Sequence, residues 1–348
     1  MKPGIDLQAL ASKIETNRGL KKDFIADTSM TTVQVIERKP MIELPDIGQF
    51  PIQPIAHRQI ATHTGVPAAY YDRMANEAPD LLATNINAWF RLHPARRMVR
   101  TLSGHARSFN SNRYQRIEHE EIAEVAFPIL AELPNVKIVS CEITDARLYI
   151  HFVVPGIQGE VRVGDVVQAG GIISNSEVGL GSVSVAGLLW RLACLNGART
   201  NETFRRNHVG RAVDTNEDLW ADDTRQSDDR TVLLKVRDMV RAVVDEARFK
   251  ANIAKLQGLA DPLHRITGDP VKAVEVLAAK VGASVGEKDG ILRSLIEGHD
   301  LTAWGLLNAV TAQSHNVESY DRAVELEGIG GSLIELPRAE WRQVLEAA

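Results

Sequence analysis

Between Val136 and Ser174 apolar and polar residues alternate with a period of two, and the alternation is interrupted at turn residues. Val136 to Ile143, a break at Thr144-Asp145-Ala146 and Leu148 to Val154 read as a β-hairpin. Glu160 to Val163, a Gly164-Asp165 turn and Val166 to Ser174 read as a second. Side chains two apart on a strand share a face, and strands joined by turns this short pair antiparallel. This block constrains the fold more than any other, because everything else in the chain has to pack on an antiparallel sheet at its centre.

On either side the pattern is mostly helical. Leu7, Leu10 and Ile14, followed after a polar gap by Leu20 and Phe24, mark an amphipathic helix and then a break, and Thr31 to Ile36 reads as a short strand. Pro40, Pro45, Pro51 and Pro54 make the next segment extended and connecting. His57 to Ala61, Thr64-Gly65-Val66-Pro67 and Ala68 to Met74 have the parts of a helix-turn-helix. Its second helix presents Tyr70, Tyr71, Asp72 and Arg73, which is no base-reading face for a duplex. Glu118-His119-Glu120-Glu121 opens a helix carrying Ile122, Val125, Ile129 and Leu130 on one side. Downstream, Val232, Val236, Met239, Val243 and Ala247 trace one long helix from near Asp228 to before Gly258, roughly 40 Å at the usual rise, suited to packing or oligomerisation. Two further helices start at Asp269-Pro270 and Asp300. The expected class is α+β, a central antiparallel β-sheet flanked by helices, with a helical carboxy-terminal region. Residues 1–54 form an amino-terminal helix and connecting segment, 55–213 the α+β core, 214–227 a polar linker and 228–348 the helical region.

With 348 residues, 44% of them hydrophobic, the chain can bury a large core. Cys141 and Cys194 both lie among apolar residues and are expected to be buried, reduced thiols. No signal-peptide pattern is present and no apolar run approaches the ~20 residues that span a bilayer, so a cytoplasmic protein with no membrane partner is expected.

The motifs of several chemistries are missing. No glycine-rich loop ends in Lys-Ser or Lys-Thr, and Gly179-Leu180-Gly181-Ser182 lacks the third glycine and downstream acid of a dinucleotide site, so it reads as a tight turn between strand and helix. The ten histidines show no zinc spacing, and the acids around His119 need only be a helix start. No catalytic residue, cofactor or metal is expected, and the reading is of a protein that is not an enzyme.

The charge pattern is more informative. The net charge is −5, yet Leu81 to Ile117 contains no acid and carries Arg91, Arg96, Arg97, Arg100, Arg107, Arg113 and Arg116. Trp89, Phe90, Phe109 and Tyr114 are interleaved with them. A second basic group, Arg199, Arg205, Arg206, His208 and Arg211, is offset only by Glu202. Such a segment either binds an external polyanion or pairs with acids elsewhere in the fold.

The stretches Gly171-Ile172-Ile173-Ser174-Asn175-Ser176-Glu177-Val178-Gly179, Arg191-Leu192-Ala193-Cys194-Leu195-Asn196-Gly197 and Arg206-Asn207-His208-Val209-Gly210 resemble the phage- and plasmid-related proteins of the domain-of-unknown-function 932 family. Leu102-Ser103, Arg113-Tyr114, Ile117, Pro67 to Tyr71, Thr302-Ala303-Trp304 and Asn308 to Thr311 agree with the same pattern. The resemblance implies a setting in mobile DNA and carries over no functional residue.

Phosphates need cations and unstacked bases need aromatic faces. The expected function is therefore single-stranded DNA or RNA binding, extending to strand annealing, by a homo-oligomer. Arg96, Arg97, Arg107, Arg113, Arg205 and Arg206 are the expected phosphate contacts, with Tyr114 and Phe109 stacking on bases. The alternatives are an oligomeric assembly protein of a mobile element that does not bind nucleic acid, and a metal-dependent nuclease using Glu142, Asp145 and Glu177.

Overall fold

The computed structural model describes residues 1–181, 183–206 and 222–348, with backbone alone at 201–206, 222–226, 228 and 229. Helix α1 (Leu7–Leu20) is capped by Asp6, whose carboxylate accepts the Ala9 N–H at 2.7 Å, and it buries Leu10 and Ile14. At the polar gap the chain turns directly into strand β1 (Lys21–Asp27), so Phe24 belongs to a strand. The proline-punctuated segment is extended, as its composition requires, and it pairs with itself: β2 (Thr32–Ile36), β3 (Lys39–Leu44) and β4 (Gly48–Pro51) make a three-stranded antiparallel meander.

Helices α2 (Pro54–Thr64), α3 (Ala68–Glu77) and α4 (Pro79–Leu92) follow, with Gly65 ending α2 in the left-handed region at φ 67°. The acid-free arginine segment then forms a hairpin, β5 (Arg96–Leu102) and β6 (His105–Ser111), and β5 pairs on its other side with β1. Ile60, Leu82, Ile86, Phe90, Val99 and Phe109 close the core between these helices and the two small sheets. Full burial of a side chain of this kind stabilises by about 1.5–3 kcal/mol.

Helix α5 (His119–Glu132) leads into the central sheet, an antiparallel meander of β7 (Lys137–Ile143), β8 (Leu148–Glu160), β9 (Val166–Asn175), β10 (Val183–Arg191) and β11 (Asn196–Arg206) in the order β11-β10-β9-β8-β7. The period-two pattern does what it predicts: Leu148, Ile150 and Phe152 point to one face and Tyr149, His151 and Val153 to the other. The first face packs on α1, α5 and α6 (Asp222–Ala242). Val167, Ala169 and Leu189 continue this same face, in register with Ile173 and Val185, and pack with α7 (Glu246–Leu259). The second face meets α11 (Tyr320–Ile334), whose Tyr320 and Val324 pack on Tyr149 and whose Glu327 pairs with His151 at 3.0 Å, and α10 (Ala303–Ala312) packs beside α11. Helices α8 (Pro270–Val281), α9 (Val285–Glu297) and α12 (Arg338–Leu345) complete the helical carboxy-terminal region. The protein is thus of the α+β class, with a central antiparallel sheet flanked by helices.

Four expectations need correction. The single long helix from Asp228 is two, because the first ends at Ala242 and Asp245 caps a new helix by accepting the Arg248 N–H at 2.9 Å. Residues 222–227, assigned to a linker, are the first turns of α6, while 214–221 lie outside the described residues. The Gly179-Leu180-Gly181 turn joins two strands. Gly179 has φ +80°, and a Cβ there would stand 2.6 Å from Asn110 Oδ1, so a side chain is excluded twice over. Both cysteines are free, but only Cys141 is buried; Cys194 is exposed on the β10–β11 turn, where Arg191 Nη1 donates to its sulfur at 3.2 Å. No helix among the described residues is long and apolar enough to cross a membrane.

Candidate functional site

The three-stranded sheet β1–β5–β6 carries most of the arginine segment, and its register sends those arginines to two different environments. Lys21 pairs with Leu102 at one end of β1 and Asp27 with Arg96 at the other; Arg97 faces Ser111 across the hairpin and Leu102 faces His105. The hairpin turn at Ser103-Gly104 therefore points to the central sheet, and Arg96, Arg97 and Arg113 lie at the opposite, open end.

At the turn end the charges are buried and paired. Arg100 is 1% exposed: its Nε donates to Asp23 Oδ1 at 2.8 Å, its Nη1 to the Glu177 carbonyl at 2.6 Å, and its Nη2 to Glu118. Glu177, 2% exposed, accepts from Lys21 Nζ at 2.5 Å, from Arg107 Nη1 at 2.7 Å and from the His119 N–H at the start of α5 at 2.7 Å. Burial alone would raise the Glu177 pKa, but His119, Arg107 and Lys21 outweigh it and hold the carboxylate well below the usual range. For Lys21 the order is the same: burial works against the ammonium, and Glu177 and Glu118 more than offset it, raising the pKa. Burial drives His119 down to about 3, with Glu177 opposing, so the ring is neutral at pH 7. Asn175 Nδ2 donates to the Ile117 carbonyl at 2.8 Å and to His119 Nδ1 at 3.0 Å, which leaves the ring proton on Nε2.

The Asn-Ser-Glu-x-Gly motif is thereby explained as the joint between the arginine sheet and the central sheet. Ser176 Oγ donates to the Ala146 carbonyl at 2.8 Å and accepts the Leu180 N–H at 3.1 Å, and its own carbonyl accepts the Tyr114 hydroxyl at 3.0 Å.

Carboxylate oxygens of Glu118, Glu120 and Glu177 lie within 4.8 Å of one another, an oxygen set of the kind that holds a hard cation. Lys21 Nζ already stands among them, at 3.1, 2.7 and 2.5 Å. The chain supplies its own cation. The set expected from the sequence does not gather: Glu142 pairs with Lys13 at 3.1 Å, Asp145 is exposed on the β7–β8 turn, and Glu177 is buried. Between the hairpin turn, the start of α2, the end of α1 and the β7–β8 turn lies a cleft of about 270 Å³, with Glu177, His119 and Arg107 on its wall.

The open end is different. Only His93-Pro94-Ala95 separate α4 from β5, so Trp89, Arg91 and His93 are delivered to the same end as Arg96. Trp89 is 38% exposed and stacks on His93 with ring centroids 5.6 Å apart and planes 9° from parallel. Arg91, Arg96 and Arg113 are exposed and none pairs with a carboxylate within 4 Å among the described residues. Asp27 faces Arg96 across the register, and its Oδ1 is taken by the Ser29 hydroxyl and N–H at 2.7 and 2.9 Å.

Three sequence expectations therefore change. Phe109, 3% exposed, stacks on Phe90 at 5.6 Å, and Tyr114, 7% exposed, donates its hydroxyl to Ser176, so both ring faces are covered and neither can take a base. Arg107 is spent on Glu177 and cannot serve a phosphate. Arg97 is half-buried beneath this surface, with its guanidinium 5.8 Å from the Phe109 centroid and Nη2 against His63 Nδ1. Arg96 and Arg113 are exposed at one end of the sheet. Arg205 and Arg206 close the end of β11, and their side chains lie outside the described residues, as do His208 and Arg211 entirely. Sequence reasoning missed Lys21, Glu118 and Glu120 as partners of Glu177. The available signal was a lone acid inside the apolar run Val166 to Val178, which a buried sheet tolerates only with cations delivered to it. Comparison of the chain with protein-family models, with curated proteins and with solved structures gave no match.

Proposed function

We propose that this protein binds single-stranded nucleic acid at the open end of the β1–β5–β6 sheet. The observation that carries the reading is the exposed Trp89–His93 stack beside Arg91, Arg96 and Arg113, three cations without a carboxylate partner among the described residues. An exposed aromatic face is useful to an unstacked base and of little use to a duplex, whose bases already stack on one another. Free guanidiniums release counterions when they meet phosphates, whereas those at the turn end have no charge to offer. A setting in mobile DNA and strand annealing belong to the proposal, the first resting on sequence likeness alone.

The test is fluorescence anisotropy of labelled single-stranded and duplex oligonucleotides across a salt series. Three phosphate contacts give a slope of log affinity on log salt of about −2, or about 20-fold between 50 and 200 mM. A flat response, or equal affinity for duplex, removes the reading. A second reading, an assembly protein without nucleic-acid binding, draws on Met30 and Leu92, 67% and 66% exposed on the two segments that Thr28 and Ala95 tie together. It predicts self-association indifferent to added oligonucleotide.

A further inference from the structure

We infer that the cleft at the turn end of the sheet is a pocket for one nucleobase, presented either as a free nucleoside or as a single unstacked residue of a strand. The choice of ligand class rests on the strand-binding reading; the shape, walls and charge of the pocket do not.

A cleft of about 270 Å³ is small for a ligand site and suits one compact ring system. Its apolar lining is Pro54 and Ile55 at the start of α2 together with Leu102, Ile143 and Val178. The same lining includes the half-buried carboxamides of Asn17 and Gln53, neither of which has a side-chain hydrogen bond among the described residues. A carboxamide offers a donor and an acceptor together, and the edge of a base asks for that combination. Unstacked bases are held in this way, by apolar surface on the faces and hydrogen bonds on the edge.

Charge decides against the other polar ligands of this size. The wall cations are already engaged, Lys13 with Glu142 at 3.1 Å and the Ile143 carbonyl at 2.8 Å, Arg107 with Glu177 at 2.7 Å. Asp145 is exposed on the rim with no ion pair among the described residues. The wall carries two cations, Lys13 and Arg107, against two carboxylates, Asp145 and Glu177, so a phosphate or a free carboxylate entering here finds no unengaged cation to offset its desolvation, and an uncharged heteroaromatic ring needs none. The Glu177 carboxylate in the wall is held by three hydrogen bonds, from Lys21, Arg107 and the His119 N–H, and each of these partners comes from a different element.

The experiment is calorimetric titration of the full chain with adenosine, guanosine, cytidine and thymidine, and separately with inorganic phosphate. At least one nucleoside should bind one to one, without competition from phosphate, and Gln53→Leu should weaken it about tenfold by stranding one polar edge. Ile55→Trp, which fills the cleft, should abolish binding, and Leu263→Ser, at an exposed position outside the cleft, should leave it unchanged. Absence of nucleoside binding by the folded protein overturns the inference, as does binding that neither cleft variant alters or that phosphate displaces. Oligonucleotide anisotropy on the same samples separates the two claims: strands bound without nucleosides removes the pocket alone, and nucleosides bound without strands removes the strand reading and keeps the pocket.

Discussion

The two ends of the β1–β5–β6 sheet are made from the same arginine-rich sequence and treat charge in opposite ways. At the turn end Arg100 and Arg107 are desolvated and matched by Asp23, Glu118 and Glu177, carboxylates brought from three other segments. At the open end Arg91, Arg96 and Arg113 stay in water with no carboxylate partner among the described residues. A count of arginines along the chain registers both ends as one basic region. What separates structural from available charge is burial: a guanidinium taken out of water must be paired within the fold, and one left in water need not be.

The sharpest way to break this comparison is Glu177→Gln, which leaves Lys21 and Arg107 buried without their shared partner. Urea denaturation should show a loss of about 3–5 kcal/mol, as for other broken buried pairs. A loss under about 1 kcal/mol would put the turn end in the same class as an exposed ion pair. At the open end, Trp89→Ala should cost about 1–3 kcal/mol of single-strand affinity by anisotropy, the value of one stacked base. Unchanged affinity would leave that end without a function in binding.

Acid should act on both ends, through histidines that burial keeps neutral. His119 is held at about 3 by burial, and His63 at about 4 by burial and by Arg97 beside it, whereas an unfolded histidine titrates near 6.5. Below pH 6.5 the unfolded chain therefore binds protons that the folded one refuses. Stability is complete above that pH and is lost as pH falls toward 4, at up to about 1.4 kcal/mol per pH unit from His119. Glu177 adds to the loss below the ordinary carboxylate range, because its folded pKa lies beneath its unfolded one. Denaturation midpoints at pH 7.5, 6 and 5 check the slope, and His119→Gln should flatten it. The smallest expected effect is that of Arg113→Ala, which should reduce the magnitude of the salt slope by about 0.7, one phosphate contact; Arg100 offers no such contact.

The central sheet was legible because its pattern is local. Leu148 to Val154 alternates, Thr144-Asp145-Ala146 interrupts, and the hairpin follows from residues within sight of one another. The break between α6 and α7 was less so: Val243 and Ala247 keep the helical period across Asp245, and only the cap geometry ends the first helix. The hairpin β5–β6 was hidden for a physical reason. Arg100 occupies a core position in Met98-Val99-Arg100-Thr101, and a residue read as polar breaks the apolar alternation that would have marked a strand. Of the candidate site, Arg96 and Arg113 could be read as cations, but nothing local separates them from the buried Arg100 of the same segment. The partners of Glu177 could not be read as such, since nothing local connects Lys21 or Glu118 to the end of β9.

The charged joint has one more consequence, for the order in which the molecule is assembled. Glu177 meets Lys21 across 156 residues, Arg107 across 70 and His119 across 58. During synthesis Asp23, Glu118 and Glu120 are made in time to meet Arg100 and Lys21, but Arg107 emerges well before β9 and spends that interval without its partner Glu177. Contacts this distant in sequence close late. The amino-terminal helices and small sheets are in this sense a half-finished unit, whose completion waits on a single glutamate just past the end of the middle strand of the central sheet.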